Sequence, residues 1–99
     1  MAAADIDFHP EAHAEALAAL AWYRERSPDA AARFERELAA GVERIAEAPD
    51  RWPRHARRFR KLLLRRFPYL VIYRRVGGRV EIVAVAHGHR RPGYWRART

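Results

Sequence analysis

Several chemically distinctive features are absent from this chain of 99 residues. It has no cysteine, so no disulfide or cysteine nucleophile is available and stability must come from packing. No run of about 18 apolar residues occurs, which argues against a transmembrane helix. The first ten residues carry acidic and no basic side chains, so we expect no secretory signal and a cytoplasmic location. The length fits one domain over residues 1–99.

The motifs of several enzyme classes are also missing. The chain has no glycine-rich phosphate loop, no serine-hydrolase elbow and no internal repeat. His87 and His89 stand two apart on an extended segment, so both would point to the same side and could chelate a cation. No Cys, Asp or Glu follows nearby as a third ligand. We therefore expect no metal site and no cofactor.

The charge of the chain is divided unevenly along its length. Residues 1–50 hold 5 basic and 11 acidic side chains, a net −6, and residues 51–99 hold 15 basic and 1 acidic, a net +14; together they give +8. Fourteen net charges in half a small domain repel one another, which favours a surface for a polyanion, either nucleic acid or an acidic protein. The alternative is a solvated basic face that keeps the protein soluble.

Two helices are predicted in the acidic half. The first covers residues 11–26, after Pro10 in a position that suits a helix start. Its narrow stripe consists of Leu17, Leu20, Ala21 and Arg24. The second starts at Ser27, which caps it, with Pro28 in the first turn. Its amphipathic stripe consists of Phe34, Leu38, Val42 and Ile45. The short connection predicts an antiparallel helical hairpin, and Gly41 would let the two helices approach closely.

Strands are predicted before and after the helices, over residues 4–8, 60–67, 69–76 and 79–87. Gly77-Gly78 between the last two predicts a two-residue type I′ turn with positive φ at both glycines. The run 80–85 has few polar positions, which is typical of a central strand covered on both faces. The predicted fold is therefore α+β: an N-terminal strand, an antiparallel helical hairpin over one face, and a three-stranded antiparallel meander.

The segment that follows the last strand carries the groups most suited to chemistry. RNA cleavage by 2′-hydroxyl attack needs a base, an acid and cations. His87 and His89 are candidate bases or acids, Arg65, Arg90 and Arg91 candidate cations, and Tyr94 a candidate stacking or proton-donating group. As an alternative, Tyr94 and Trp95 would anchor the tail. Arg90, Arg91 and Tyr94 lie outside the predicted core, so we expect their substitution to spare the fold.

The densest basic patch precedes these groups and could serve RNA, DNA or an acidic protein tail. Its members are Arg57, Arg58, Arg60, Lys61, Arg65 and Arg66.

Nearly the whole chain resembles the RelE/ParE superfamily of bacterial type II toxins. The residues that carry the resemblance are FPYLVIYR at 67–74, VEIVAVAHG at 80–88 and RPGYW at 91–95, with Trp22-Tyr23 and Ala48-Pro49. The resemblance implies a toxin of a plasmid-stabilisation system that arrests bacterial growth. Its partner would be a cognate acidic, partly disordered antitoxin, bound as a hetero-oligomer with no membrane involved.

The superfamily contains two mechanisms. ParE-like members poison DNA gyrase and need no nuclease site, whereas RelE-like members cut mRNA on the ribosome. RelE-like toxins typically place an arginine where this chain has Leu70, and a His-Gly motif followed by basic residues and Tyr-Trp is mostly ParE-like. The resemblance therefore favours a gyrase poison with no enzymatic activity. The alternatives are an endoribonuclease using His87, Arg91 and Tyr94, and a non-toxic module that binds an antitoxin.

Overall fold

One four-stranded sheet with two helices against one face forms the fold of residues 3–98, the part of the chain that the computed structural model describes. Met1, Ala2 and Thr99 belong to the predicted 1–99 domain but lie outside the described residues. Within residues 3–98, no helix is long and apolar enough to cross a membrane. The elements in chain order are β1 (Asp5–Phe8), α1 (Pro10–Arg26), α2 (Pro28–Glu47), β2 (Arg60–Leu63), β3 (Tyr69–Val76), β4 (Arg79–His87) and a final 3-10 turn (Arg96–Arg98).

The strand order is β1-β4-β3-β2. The pairs β2–β3 and β3–β4 are antiparallel, which confirms the predicted meander. β1 pairs with β4 in parallel, so the sheet as a whole is mixed. The helical hairpin returns the chain to the end of the sheet where β1 begins, so β2 starts there and runs in the same direction as β1. β3 runs the opposite way, and β4 again runs in the direction of β1, which makes the β1–β4 pair parallel. β4 lies between β1 and β3 and is therefore a central strand.

The predicted capping signals are present at the helix starts. Ser27 Oγ accepts a hydrogen bond from the Ala30 N–H at 3.2 Å, and Pro28 occupies the first turn of α2. At the start of α1, His9 Nδ1 accepts from the Glu11 N–H at 3.1 Å. In each helix the capping side chain accepts a hydrogen bond from one free N–H group of the first turn, and the proline has no N–H group that would need a partner. These two features determine where each helix begins.

The predicted inward stripe of α1 is confirmed only at Leu20, which is half-buried against the core; alanines form most of the face toward the sheet. Ala12, Ala16 and Ala19 are buried, whereas Leu17 is 53% exposed. Small side chains let α1 lie close to the strands, and a close helix leaves no space for a larger side chain at those positions. The α2 stripe is confirmed at its ends, where Phe34 is 1% and Ile45 0% exposed.

Gly41 serves a different contact from the predicted one. A Cβ atom at this position would lie 3.0 Å from Leu64 Cδ2 and 3.1 Å from Leu62 Cδ2. The missing side chain therefore lets α2 approach the β2 segment and not α1. The strand itself ends at Leu63, earlier than the predicted residue 67, and Arg66 follows with a φ of 67°, a left-handed conformation that a strand cannot continue through.

The β3–β4 hairpin has the predicted position but a different turn. Val76 pairs with Arg79, which leaves Gly77-Gly78 as the two loop residues. Gly77 has a φ of 64°, whereas Gly78 is outside the left-handed region. Positive φ at the first central position alone is the pattern of a type II′ turn, so the type I′ prediction is wrong.

An irregularity in β4 changes which side chains face the helices. Tyr73 pairs with Ile82 and Ile72 pairs with Ala84, so Val83 is an extra residue, a β-bulge. Before the bulge, Ile82 packs in the helix-side core; after it, Val85 does, and Ala84 packs on the other face. From the bulge to the end of β4, the alternation of side chains between the two faces of the sheet is therefore shifted by one residue.

The second face of the sheet is covered by the C-terminal segment. Trp95 is 2% exposed and packs with Ile72, Val83 and Ala84, and Phe59 meets its ring edge-on at 4.5 Å. Both faces of β4 are therefore buried, as the apolar run predicted.

Candidate functional site

A groove of about 550 Å³ opens between α1 and the C-terminal end of β4. Within the described part of the chain, this groove brings together a deep opening, aromatic side chains and titratable groups. Its lining consists of Glu15, Ala18, Ala19, Trp22, Tyr23, Pro68, Tyr69, Val85, His87 and Arg90. Ala18 and Ala19 of α1 form a low wall of the groove because their side chains are small, and Ala19 also belongs to the buried face of the helix.

Aromatic rings support the floor of the groove. Tyr23 stacks on buried Phe34 at 5.2 Å and meets Phe67 edge-on at 5.1 Å. Burial raises the pKa of Tyr23 and Tyr69, so both phenols stay neutral at physiological pH. Trp22 is 50% exposed, with the Arg26 guanidinium 3.6 Å from its ring centroid. A half-exposed tryptophan beside a cleft offers apolar surface to a partner.

His87 stands at the rim of this groove. Its ring meets Tyr69 edge-on at 5.1 Å and stacks on the His89 ring at 5.1 Å. Its Nδ1 accepts a hydrogen bond from the His89 N–H at 3.1 Å. That bond fixes the orientation of the ring and leaves Nε2 as the nitrogen for another contact. The bulge at Val83 sets this position, because His87 then lies on the helix side of the sheet with Val85.

A network around Glu15 fastens the C-terminal segment to α1. One carboxylate oxygen, Oε1, accepts from the Val85 N–H at 2.9 Å and from Arg98 Nη1 at 2.8 Å. The other, Oε2, accepts from the Tyr94 hydroxyl at 2.5 Å and from Arg98 Nη2 at 2.8 Å. The Glu15 and Arg98 side chains are 16% and 10% exposed. This is a largely buried, bidentate ion pair.

The network also completes the edge of β4. β1 reaches only as far as Ile82, so beyond that point this edge of β4 has no strand neighbour among the described residues. Glu15 takes up the Val85 N–H, and Arg98 Nη1 donates to the Val83 carbonyl oxygen at 3.0 Å. Two side chains thus satisfy backbone groups that a fifth strand would otherwise pair.

The same contacts determine the protonation states of Glu15 and Tyr94. Burial raises the pKa of Glu15, but the hydrogen bonds from Arg98, Tyr94 and the Val85 N–H outweigh it, and the net pKa lies below the ordinary value. Burial and the Glu15 hydrogen bond together raise the pKa of Tyr94 strongly. Tyr94 therefore remains a neutral donor bound to a carboxylate.

The structure places the three candidate catalytic residues in different surroundings. His87 lines the groove, whereas the Tyr94 hydroxyl is taken by Glu15 and Arg91 is exposed outside the described lining. Arg90 does reach the groove, with its guanidinium 3.9 Å from the centroid of the Tyr94 ring. Tyr94 was expected to lie outside the core; it is instead half-buried, and with Trp95 it anchors the tail, the alternative drawn from the sequence.

The predicted basic patch is divided between the two ends of the sheet. Arg60 pairs with Tyr73 toward the β3–β4 hairpin, and Arg58 lines a small pocket with it. Arg65 and Arg66 follow the other end of β2, where Arg66 lines a separate pocket with Arg33, Arg36 and Glu37 of α2. The exposed members of the patch are Arg57, Arg58, Arg65 and Arg66; Arg60 and Lys61 are half-buried.

Glu15, Arg98 and Trp22 were not among the predicted site residues. Glu15 was hidden among the acidic residues of a helix, and Arg98 lies 83 positions away in sequence. Glu15 follows Ala12 by three positions and precedes Ala19 by four, so it lies on the buried alanine face, which was the available signal.

The architecture and sequence were compared with known proteins. A structure described as a chromosomal ParDE TA system from P. aeruginosa matches with a TM-score of 0.75 and 18% identity, covering 85% of this chain and 95% of the other. A comparison with curated proteins returned no match. The model of the family described as the ParE toxin of the type II toxin-antitoxin system, parDE, matches residues 6–92. This chain therefore belongs to the ParE toxin family.

Proposed function

We propose that this ParE-family toxin poisons DNA gyrase and is neutralised by a cognate acidic antitoxin. The observation that favours gyrase poisoning over RNA cleavage is the hydrogen bonding and protonation of Tyr94. Its hydroxyl donates to Glu15 at 2.5 Å and its pKa is strongly raised, so it is poorly suited to give up a proton during catalysis. A gyrase poison needs no such proton transfer.

Two further observations support the same choice. Arg91 is exposed and outside the described groove lining that contains His87, which supports a mechanism that does not depend on a catalytic triad of His87, Arg91 and Tyr94. Leu70 replaces an expected phosphate ligand with an apolar side chain. Exposed His89, Arg90 and Arg91 remain free to contact a target as a surface, without acting on it chemically.

The antitoxin part of the proposal rests on the groove and on charge. The groove offers half-exposed Trp22 and aromatic neighbours, and residues 51–99 carry a net +14. An acidic, disordered segment that folds on binding would bury apolar anchors in the groove and neutralise the basic surface. A cytoplasmic site of action follows from a gyrase target.

The endoribonuclease is retained as a second candidate, because His87 and Arg90 share the groove with an exposed aromatic ring. Such a site could stack a base and place a cation near phosphate. It would require His87 to act as the proton-transferring group.

The test is purified toxin incubated with gyrase and supercoiled DNA, and separately with translating ribosomes. We expect cleaved gyrase–DNA complexes to accumulate, the antitoxin to prevent this, and Arg91→Ala to reduce it. Arg24→Ala, an exposed arginine on α1, is the matched control and should leave trapping unchanged. Ribosome-dependent mRNA cleavage lost in His87→Ala, with gyrase untouched, would establish the nuclease instead. Inactivity in both assays with retained antitoxin binding would indicate a non-toxic module.

A further inference from the structure

Five arginines line one small pocket at the hairpin end of the sheet, away from the groove. The pocket has a volume of about 170 Å³ and Asp50 and Tyr73 complete its described lining. The five residues are Arg54, Arg58, Arg60, Arg74 and Arg75. Arg54, Arg74 and Arg75 were not in the predicted basic patch, so the tertiary structure and not the sequence order brings this cluster together.

Backbone pairing explains why these arginines meet. Arg60 pairs with Tyr73, which puts the start of β2 beside the second half of β3. An isolated bridge joins Arg54 to Arg60 and brings the preceding loop to the same place. The Tyr73 hydroxyl donates to the Pro49 carbonyl oxygen at 2.6 Å and ties the end of α2 to the pocket.

Negative charge within the protein does not balance the cluster. Arg75 Nη1 lies 2.8 Å from Asp50 Oδ2, and Arg74 Nε lies 2.9 Å from Glu81 Oε1. Against five guanidiniums these two carboxylates leave a local charge of +3. Among the described residues, Arg54 and Arg58 form no ion pair and are exposed. Such an excess destabilises the fold unless a ligand compensates for it.

We infer that this pocket binds the phosphate backbone of nucleic acid, with Arg54 and Arg58 as its principal contacts. A guanidinium fork donates two parallel hydrogen bonds to phosphate oxygens, which suits a cluster built from arginine without lysine. Duplex DNA carries one charge per about 1.7 Å of its axis. Even a fully acidic extended peptide carries one per about 3.3 Å. The denser polyanion is the better match for a small pocket in which five guanidiniums leave a local charge of +3.

We expect this binding not to depend on the base sequence of the nucleic acid, because contacts to phosphate position the protein on the duplex without contacting the bases. It places nucleic acid at the end of the sheet opposite His87, so the groove stays open for an antitoxin or target. Binding to a duplex alone does not involve gyrase. A negative result in this binding experiment can therefore be distinguished from a negative result in the gyrase assay.

The test is fluorescence anisotropy with a labelled duplex of random sequence, from about 50 to 200 mM salt. Wild-type protein is compared with Arg54→Gln/Arg58→Gln and with a control, Arg24→Gln/Arg33→Gln, which removes the same charge from exposed helix positions. We expect the pocket variant to lose at least about tenfold in affinity, and its salt slope to fall by about 2, since each lost phosphate contact contributes roughly 0.9. The control should change by less than about threefold.

Equal losses in the two variants would show that only overall charge matters, and would overturn the site. Displacement of the duplex by an equimolar polyglutamate peptide would assign the pocket to an acidic protein, and displacement by equimolar inorganic phosphate to a single small anion. Circular dichroism of each variant verifies folding. Failure of the folded wild-type protein to bind at the lowest salt would also refute the assignment.

Discussion

Replacement of Glu15 by alanine should destabilise the protein more than any exposed charge substitution on α1. The carboxylate accepts four hydrogen bonds, from the Val85 N–H, the Tyr94 hydroxyl and two nitrogens of Arg98. Its loss leaves the Arg98 guanidinium, whose side chain is 10% exposed, with only the exposed Glu11 carboxylate, 3.7 Å from Arg98 Nε, as a charged partner among the described residues. The tail and the edge of β4 would lose their common anchor.

The expected loss is about 3–5 kcal/mol, the cost of removing one partner from a buried ion pair. For a domain of this length, each 1 kcal/mol lowers Tm by roughly 4–8 °C. We therefore expect Glu15→Ala to lower Tm by more than about 10 °C. A double variant, Glu15→Leu/Arg98→Met, should recover only part of the loss. It leaves no unpaired charge, but the Val85 N–H and the Val83 carbonyl oxygen lose the partners that Glu15 and Arg98 supply.

The assay is thermal and urea unfolding followed by circular dichroism, with Glu25→Ala as the matched control. Glu25 lies on the same helix with its side chain 78% exposed, so its substitution should change stability by less than about 0.5 kcal/mol. Trypsin should cut Glu15→Ala faster after Arg90 and Arg96 if the tail is released.

The pH dependence gives an independent check on the same network. The folded pKa of Glu15 lies below its ordinary value of 4.5, so ionisation stabilises the fold above that value. As the pH falls through 4.5 and then through the folded pKa, this contribution is lost. Glu15→Gln should therefore flatten the acid side of the stability curve relative to wild type.

Similar Tm values for Glu15→Ala and Glu25→Ala would falsify the argument. A stability loss of Glu15→Leu/Arg98→Met equal to the sum of the losses of Glu15→Leu and Arg98→Met would also contradict it, because substitutions of interacting partners are not additive.

The remaining predictions concern the core and the alkaline range. Phe34→Ala should cost about 3–5 kcal/mol in urea unfolding, since the ring is 1% exposed among Tyr23, Phe67 and Tyr69; a loss under about 1 kcal/mol would contradict that packing. Burial raises the pKa of Tyr73 from 10.0 to about 12, so stability should fall as the pH rises through that range, and Tyr73→Phe should reduce the fall; an unchanged alkaline profile would show that Tyr73 is not the group responsible.

Local patterns in the sequence were sufficient for most of the secondary structure. The bounds of β3 and β4 and the start of α2 at Pro28 agree with the prediction, because a glycine pair, a proline and a capping serine act within a few residues. The end of β2 was not predictable in this way, since it depends on the left-handed conformation at Arg66.

The resemblance to the RelE/ParE superfamily also came from the sequence alone, and the match over residues 6–92 confirms it. His87 and Arg90 line the same groove at the end of β4, which their closeness in the chain made predictable.

The arrangement of the candidate site, in contrast, was decided by contacts between distant residues. One extra residue at Val83 reverses the alternation of β4 and turns His87 toward the helices, although the sequence reads as an uninterrupted apolar run. Glu15 and Arg98 meet across 83 positions, and Arg58 joins Arg74 in one pocket while Arg65 goes to the other end. Charge and hydrophobicity fix which residues are polar or apolar, but register, bulges and helix-to-sheet distance decide which of them meet.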